Sequence, residues 1–201
     1  MSLEGKVIAL EGTDGVGKST HLALLSKYLE DKDYDVLAMS APSDLYRNDP
    51  HVQQYNLTGE SFLRPTTLAV MAASDRLRIY DTQIKPHIET GGVVVCDRYK
   101  FSAEAYFAMR GADIDLLRQI HTNIPDPDYA VLLTLDAVAR LSRLKSRATS
   151  NDWEEQSMEY QDSVQSLLLS SWNNDYAVID TGKSKEEISD EIQEYLREPL
   201  K

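Results

Sequence analysis

Apolar positions along the chain recur with two periods, and the alternation between them predicts the outline of the fold. The run Val7-Ile8-Ala9-Leu10 reads as a strand, and over His21 to Asp31 the residues Leu22, Leu25 and Leu29 fall three and four apart on one helical face. Asp35 to Met39, Val93 to Cys96, Tyr129 to Leu135 and Tyr176 to Asp180 give four more strands. Val93-Val94-Val95-Cys96 is continuously apolar, as in a strand buried on both faces. Leu45 to Pro65 is polar, with a short helix expected at about 50 to 56. Pro65 suits the first turn of a long helix through Leu68, Met71 and Ala72 to Glu89, kinked at Pro86 and ended by Gly91-Gly92. Further helices are expected over Ser102 to Arg110, Asp113 to Thr122, Asp136 to Arg147 and Ser150 to Trp172, and Ser184 with Glu187 forms a capping box for a last one. Strands alternating with helices in this way predict an α/β fold, a five-stranded parallel sheet flanked by helices, as one domain over 1–201.

The first strand runs into Gly12-Thr13-Asp14-Gly15-Val16-Gly17-Lys18-Ser19-Thr20, the pattern G-x-x-x-x-G-K-S. Glycines at 12 and 17 let the backbone curl until several N–H groups converge on one anion. Lys18 can then reach outer phosphates, Ser19 offers a hydroxyl to Mg²⁺, and the first turn of the following helix adds partial positive charge. A capping turn that binds nothing would not need Lys18 and Ser19 together. Asp97-Arg98 closes the third strand, where a carboxylate can hold Mg²⁺ and a guanidinium can grip a phosphate through two parallel hydrogen bonds. The bland alternative is a surface pair of little energetic value. In open parallel sheets the ligand crevice lies beyond the carboxyl ends of the strands, so the loop Ser40 to Asp44 is expected to border a second substrate.

Charge narrows the partners. The chain of 201 residues has a formal net charge of −12, which disfavours a nucleic-acid polymer or an anionic membrane as ligand. A bound phosphate must therefore be held by a local positive pocket. Cys96 is the single cysteine and sits in an apolar run, so it is expected as a buried core thiol, with no intrachain disulfide and a reducing compartment. No apolar segment reaches the ~20 residues of a membrane span and a strand begins within a few residues of Met1, so a soluble cytoplasmic protein is expected.

Together with Ser74-Asp75-Arg76, Ile84-Lys85-Pro86, Asp97-Arg98-Tyr99-Lys100-Phe101-Ser102 and Ala105-Tyr106, the glycine-rich stretch resembles the thymidylate kinases in order and spacing over nearly the whole chain. The resemblance implies a P-loop NTPase-type three-layer sandwich and transfer of the γ-phosphoryl group of ATP to dTMP, with Mg²⁺. It implies that Gly12 to Thr20 cradle ATP, that Asp14 lies near the sugar 3′-hydroxyl and the reacting phosphates, and that Arg76 contacts the base. It further implies Arg98 on the acceptor phosphate, Tyr106 on the deoxyribose, Ser102 at the same substrate, and Ser19 and Asp97 at the metal. The basic stretch Arg140, Arg143, Lys145, Arg147 is similar to the start of the family's lid, expected over about 143–156, which makes Arg143 and Arg147 catalytic candidates. Read without the family, those arginines are a solvated helix face and Tyr106 is plain core. A homodimer through the helix at about 66 to 85 is expected by the same analogy.

The chain departs from the family pattern at four places. Ser40-Ala41-Pro42-Ser43 stands where an Arg-Glu-Pro motif is usual, with Arg47 or Arg64 as candidate replacements for its arginine. Ala72 and Ala73 stand one turn before Arg76 in place of a stacking phenylalanine, and Ala103 replaces a polar residue. Asn151-Asp152-Trp153-Glu154 replaces an Asp-Arg-x-Glu stretch. Two other readings stay open: a kinase of another (deoxy)nucleoside monophosphate or of a nucleoside, with Asp44 as nearby carboxylate, and a regulatory nucleotide-binding protein without efficient turnover.

Overall fold

The computed structural model describes residues 2–146, 152–173 and 175–197. In chain order the elements are β1 (Val7–Glu11), α1 (Lys18–Glu30), β2 (Val36–Ser40), α2 (Asp44–Arg47), α3 (Pro50–Thr58), α4 (Pro65–Ile79), a π-turn (Tyr80–Ile84) and α5 (Lys85–Glu89). Then follow β3 (Val93–Asp97), α6 (Phe101–Met109), α7 (Ile114–His121), β4 (Tyr129–Thr134), α8 (Ala137–Ser146), α9 (Trp153–Gln156), α10 (Met158–Ser171), β5 (Ala177–Asp180) and α11 (Lys185–Tyr195). The strands form one parallel sheet of order β2-β3-β1-β4-β5, in register Leu10 to Asp97 on one side and Leu10 to Val131 on the other.

Alternation within the strands divides the core into two layers. Ile8, Leu10, Val95 and Val131 face α1 and α11 through Leu25, Leu29, Ile188 and Ile192. Val7, Ala9, Val94 and Cys96 face the opposite side, against Ile79 and Ile84, while Leu132 meets α6 and α10 at Ala105, Val164 and Leu168. The five-stranded parallel sheet flanked by helices that the pattern predicts, and the three-layer sandwich that the resemblance implies, are observed.

Three elements differ from the sequence reading. The helix from Pro65 widens before Pro86, with the Lys85 N–H donating to Tyr80 O across the π-turn, so that Pro86 falls in the first turn of α5, where a proline is tolerated. The polar stretch after β2 holds two helices, because Ser43 caps α2 and Asp49 caps α3. The helix expected over Ser150 to Trp172 is broken at Ser157, whose side chain caps α10 by accepting from Tyr160 N, while Asp152 caps α9. Of the segment expected as a lid, residues 147–151 lie outside the described residues. The Trp153 ring packs edge-on 5.9 Å from Tyr55 and lies tilted 5.2 Å from Tyr160.

Candidate functional site

The loop between β1 and α1 requires its glycines. Gly12 has φ 138°, and a Cβ there would lie 2.4 Å from the Leu133 carbonyl oxygen, inside any permitted contact. Gly17 caps α1 at φ 99°. The Lys18 side chain is buried and folds back over the loop, donating from Nζ to Thr13 O at 2.7 Å, with Asp14 Oδ1 at 3.9 Å. Burial pushes the Lys18 ammonium down to about 8, assisted by the charge of Arg98 and opposed by Asp14 and Asp97.

β1 and β3 are neighbours, so their carboxyl ends bring the two sequence motifs together. Ser19 Oγ donates to Asp97 Oδ2 at 3.0 Å. A hydroxyl and a carboxylate side by side at the mouth of the loop are hard oxygen donors, a set that fits Mg²⁺. Arg98 has φ 66°, a left-handed conformation that costs a non-glycine residue about 1 kcal/mol. That turn swings its guanidinium back over the loop: Nη1 donates to Gly12 O at 3.0 Å and Nη2 to Asp14 Oδ1 at 2.5 Å. The Tyr106 hydroxyl donates to Asp14 Oδ2 at 2.7 Å, and its ring lies 4.7 Å from the Arg98 guanidinium. Burial alone would raise the Asp14 carboxyl, but the charges of Arg98 and Lys18 outweigh it and hold the group well below the usual carboxylate range. Asp14 is therefore ionised throughout the neutral range, and Arg98 stays fully charged because its own burial is outweighed by Asp14.

Two cavities meet here. One of about 590 Å³ contains Gly15, Gly17, Lys18, Ser19 and Asp97. The other, of about 160 Å³, runs toward Arg76, Ser102, Ala103 and Tyr106. Asp14, Pro42, Arg47, Arg98 and Glu155 border both. Arg76 is buried beside the second cavity, with Nε donating to Tyr99 O at 2.7 Å and Nη1 to Ala72 O at 3.1 Å. Ser102 lies on the cavity wall with its hydroxyl donated to Glu11 Oε2. Arg143 reaches Thr181 O at 2.6 Å from α8, next to Gly17, and Arg147 lies outside the described residues. Arg140 is buried and bound by Asp162, which makes it a link between α8 and α10.

Several supporting residues escape a reading by sequence. Buried Glu11 at the end of β1 accepts from the N–H groups of Tyr99, Phe101 and Ser102 at 3.0, 3.1 and 3.1 Å, fixing the turn that carries Arg98. Gln161 of α10 accepts from Asp14 N at 3.1 Å and donates to Glu154 O at 3.0 Å. Glu154 forms a two-armed pair with Arg110 at 2.8 and 2.6 Å, between the rings of Tyr55 and Phe107. Removing the carboxylate strands a buried guanidinium, so Glu154→Ala is expected to lose about 3–5 kcal/mol of stability, read from urea unfolding. The double change Glu154→Leu with Arg110→Met is expected to recover most of that loss.

A parallel sheet whose central strand runs through a glycine-wound anion loop into a helix is the P-loop NTPase fold, here with a second cavity opening beside the loop. Residues 10–192 match the family model described as thymidylate kinase. The chain belongs to the thymidylate kinase family. It is 36% identical to a probable thymidylate kinase of Pyrococcus horikoshii over 76% of each chain. It is 31% identical to that of Pyrococcus abyssi over 98% of each. Among solved structures it is similar in fold to the thymidylate kinase of Candida albicans, with a TM-score of 0.73 and 23% identity over 96% of this chain and 91% of that one.

Proposed function

We propose that this protein transfers the γ-phosphoryl group of ATP to dTMP, giving dTDP and ADP. The observation that carries the reading is the meeting of two cavities at Arg98 and Asp14, one lined by the anion loop and the other a narrower slot of mixed polar and apolar residues that includes Arg76, Ser102 and Tyr106. ATP occupies the loop from Gly12 to Thr20, with Val16, buried, anchoring the turn in the core. An oxygen of the dTMP phosphate attacks the γ-phosphorus, and the bond from that phosphorus to the bridging oxygen breaks, leaving ADP. The attacking oxygen is already anionic, so no strong general base is needed. The work of the protein is alignment and charge neutralisation. Lys18 and Arg98 supply positive charge, Asp14 and Tyr106 orient Arg98, and Arg76 and Ser102 belong to the acceptor slot. Ser19 and Asp97 would hold Mg²⁺, which supplies further neutralisation of the outer phosphates. Arg47 borders both cavities, whereas Arg64 stands at the start of α4 outside them, so Arg47 takes the place of the family's acceptor-phosphate arginine.

The same reading includes a lid from about 143 to 156 with Arg143 and Arg147 closing over ATP, a single domain, a homodimer through the helix at about 66 to 85 and a cytoplasmic location. Buried, unpaired Cys96 supports a reducing compartment, and among the described residues no helix is long and apolar enough to cross a membrane. Incubation with ATP, Mg²⁺ and a panel of monophosphates tests the reaction: dTMP is expected to give the most diphosphate, and no diphosphate from any acceptor would reject it. Lys18 also sets a pH dependence. In the free protein it loses its proton near pH 8, while a bound triphosphate holds the proton on. Affinity for ATP is thus expected to fall as pH rises above about 8, by up to about tenfold per pH unit, in calorimetry between about pH 7 and pH 9.5.

A further inference from the structure

Asp75, in the Ser74-Asp75-Arg76 stretch of α4, lines neither cavity, yet it is buried and its carboxylate is fully engaged. Oδ2 accepts from the Ser43 N–H at 2.7 Å, and Oδ1 from the Ser43 hydroxyl at 2.6 Å and from Arg78 Nη2 at 3.0 Å. Burial alone would raise the carboxyl, but the two bonds from Ser43 and the Arg78 guanidinium outweigh it and hold the group below its ordinary value. Two donors of one residue on the two oxygens of one carboxylate fix that residue in place and in orientation. The fixed residue, Ser43, stands in the loop after β2 and borders the first cavity.

Ser43 in turn sets the place of Arg47. Its Oγ caps α2 by accepting from Leu45 N at 3.2 Å, and its carbonyl oxygen accepts from Arg47 N at 3.0 Å. The Arg47 side chain leans back on the same loop, with Nε donating to Pro42 O at 2.7 Å. Among the described residues its Nη1 and Nη2 make no hydrogen bond, and the exposed side chain borders both cavities. At four residues, α2 is too short to hold its own position and depends on its anchors. These are the buried ring of Tyr46 and the Ser43 clamp. The next residue of α4, Arg76, bonds Tyr99 O beyond β3, so consecutive residues of one helix hold the loops after β2 and β3.

Resting on the proposed kinase reading, in which Arg47 meets the acceptor phosphate, we infer that Asp75 is a positioning residue that acts through Ser43 to hold Arg47 at that phosphate. Asp75→Asn keeps the size and replaces one oxygen by a donor. Whichever way the amide turns, a donor then faces a donor, either the Ser43 N–H or Arg78 Nη2. The clamp loosens, and Arg47 loses its fixed place while keeping its charge.

Calorimetry on dTMP with the parent, Asp75→Asn, Arg47→Ala and the double variant tests that coupling. Asp75→Asn alone is expected to weaken dTMP about tenfold and Arg47→Ala about thirtyfold, whereas Asp75→Asn added to Arg47→Ala costs less than about twofold more. Initial-rate kinetics are expected to show the same pattern in the KM for dTMP, with the KM for ATP within about twofold throughout. Ser43→Ala keeps the backbone N–H on Asp75 and is expected to cost about threefold in the parent and nothing on Arg47→Ala, so the comparison stands even where Asp75→Asn does not fold. A loss as large on Arg47→Ala as in the parent marks a merely structural role and overturns the inference. No loss in the parent overturns it too, as does an Arg47→Ala variant that binds dTMP like the parent. A parent that binds dTMP with the predicted coupling yet yields no dTDP overturns the kinase reading and leaves this one standing, and a parent that binds no dTMP overturns both.

Discussion

Lys18→Ala is expected to lower kcat/KM by about a thousandfold, equivalent to about 4 kcal/mol of transition-state stabilisation. The ammonium is buried at the mouth of the loop, where a charge acts through a medium far less screening than water. Among the described residues the two nearest cations are already engaged, Arg98 by Gly12 O and Asp14, and Arg143 by Thr181. The loss is not a loss of fold. Its lowered pKa shows that the folded state disfavours the charged form, so below about pH 8 the charge itself adds no stability, and the alanine variant, which loses the bond to Thr13 O but also that buried charge, is expected to melt close to the parent. Steady-state ADP release with a thermal scan on the same sample checks both statements; a loss under tenfold would remove Lys18 from the machinery.

Arg98→Ala is expected to produce a loss of similar or greater size, shared between a higher KM for the acceptor and a lower kcat. The guanidinium borders both cavities, where the proposed reaction needs positive charge on the phosphate that moves and on the one that receives it. Arg98→Lys separates charge from shape. A lysine keeps the charge but lacks the planar fork that reaches Gly12 O and Asp14 from two separate nitrogens, so about a hundredfold loss is expected to remain. The KM for ATP is expected to change little in either variant, and initial-rate kinetics in both substrates read all three quantities.

The parts of this site legible in the sequence are those whose chemistry is written in consecutive residues. Gly12 to Thr20 and Asp97-Arg98 each declare a local need, an anion loop and a strand-end pair, and the periodicity of the strands places both at one end of the sheet. Sequence alone does not join residues far apart. Glu11 is joined to Ser102 and Gln161 to Asp14 by packing of distant elements, and neither pair leaves a periodic trace. The left-handed turn at Arg98 is equally silent, since it is imposed by the Glu11 carboxylate gathering the N–H groups that follow. The break at Ser157 was partly written: serine is a good cap, but the apolar spacing on either side runs on as if the helix continued. The π-turn before Pro86 follows from proline's lost donor, whose consequence can be a kink or a widening, and packing of Ile84 in the core accompanies the second.

The central claim is that donor and acceptor phosphates meet between Lys18 and Arg98. A bisubstrate compound joining adenosine to thymidine through five phosphates tests it directly. If the two cavities form one continuous site, the compound competes with ATP and with dTMP alike and binds far more tightly than either. Competition with one substrate only, or affinity no better than that of ATP alone, would contradict the account.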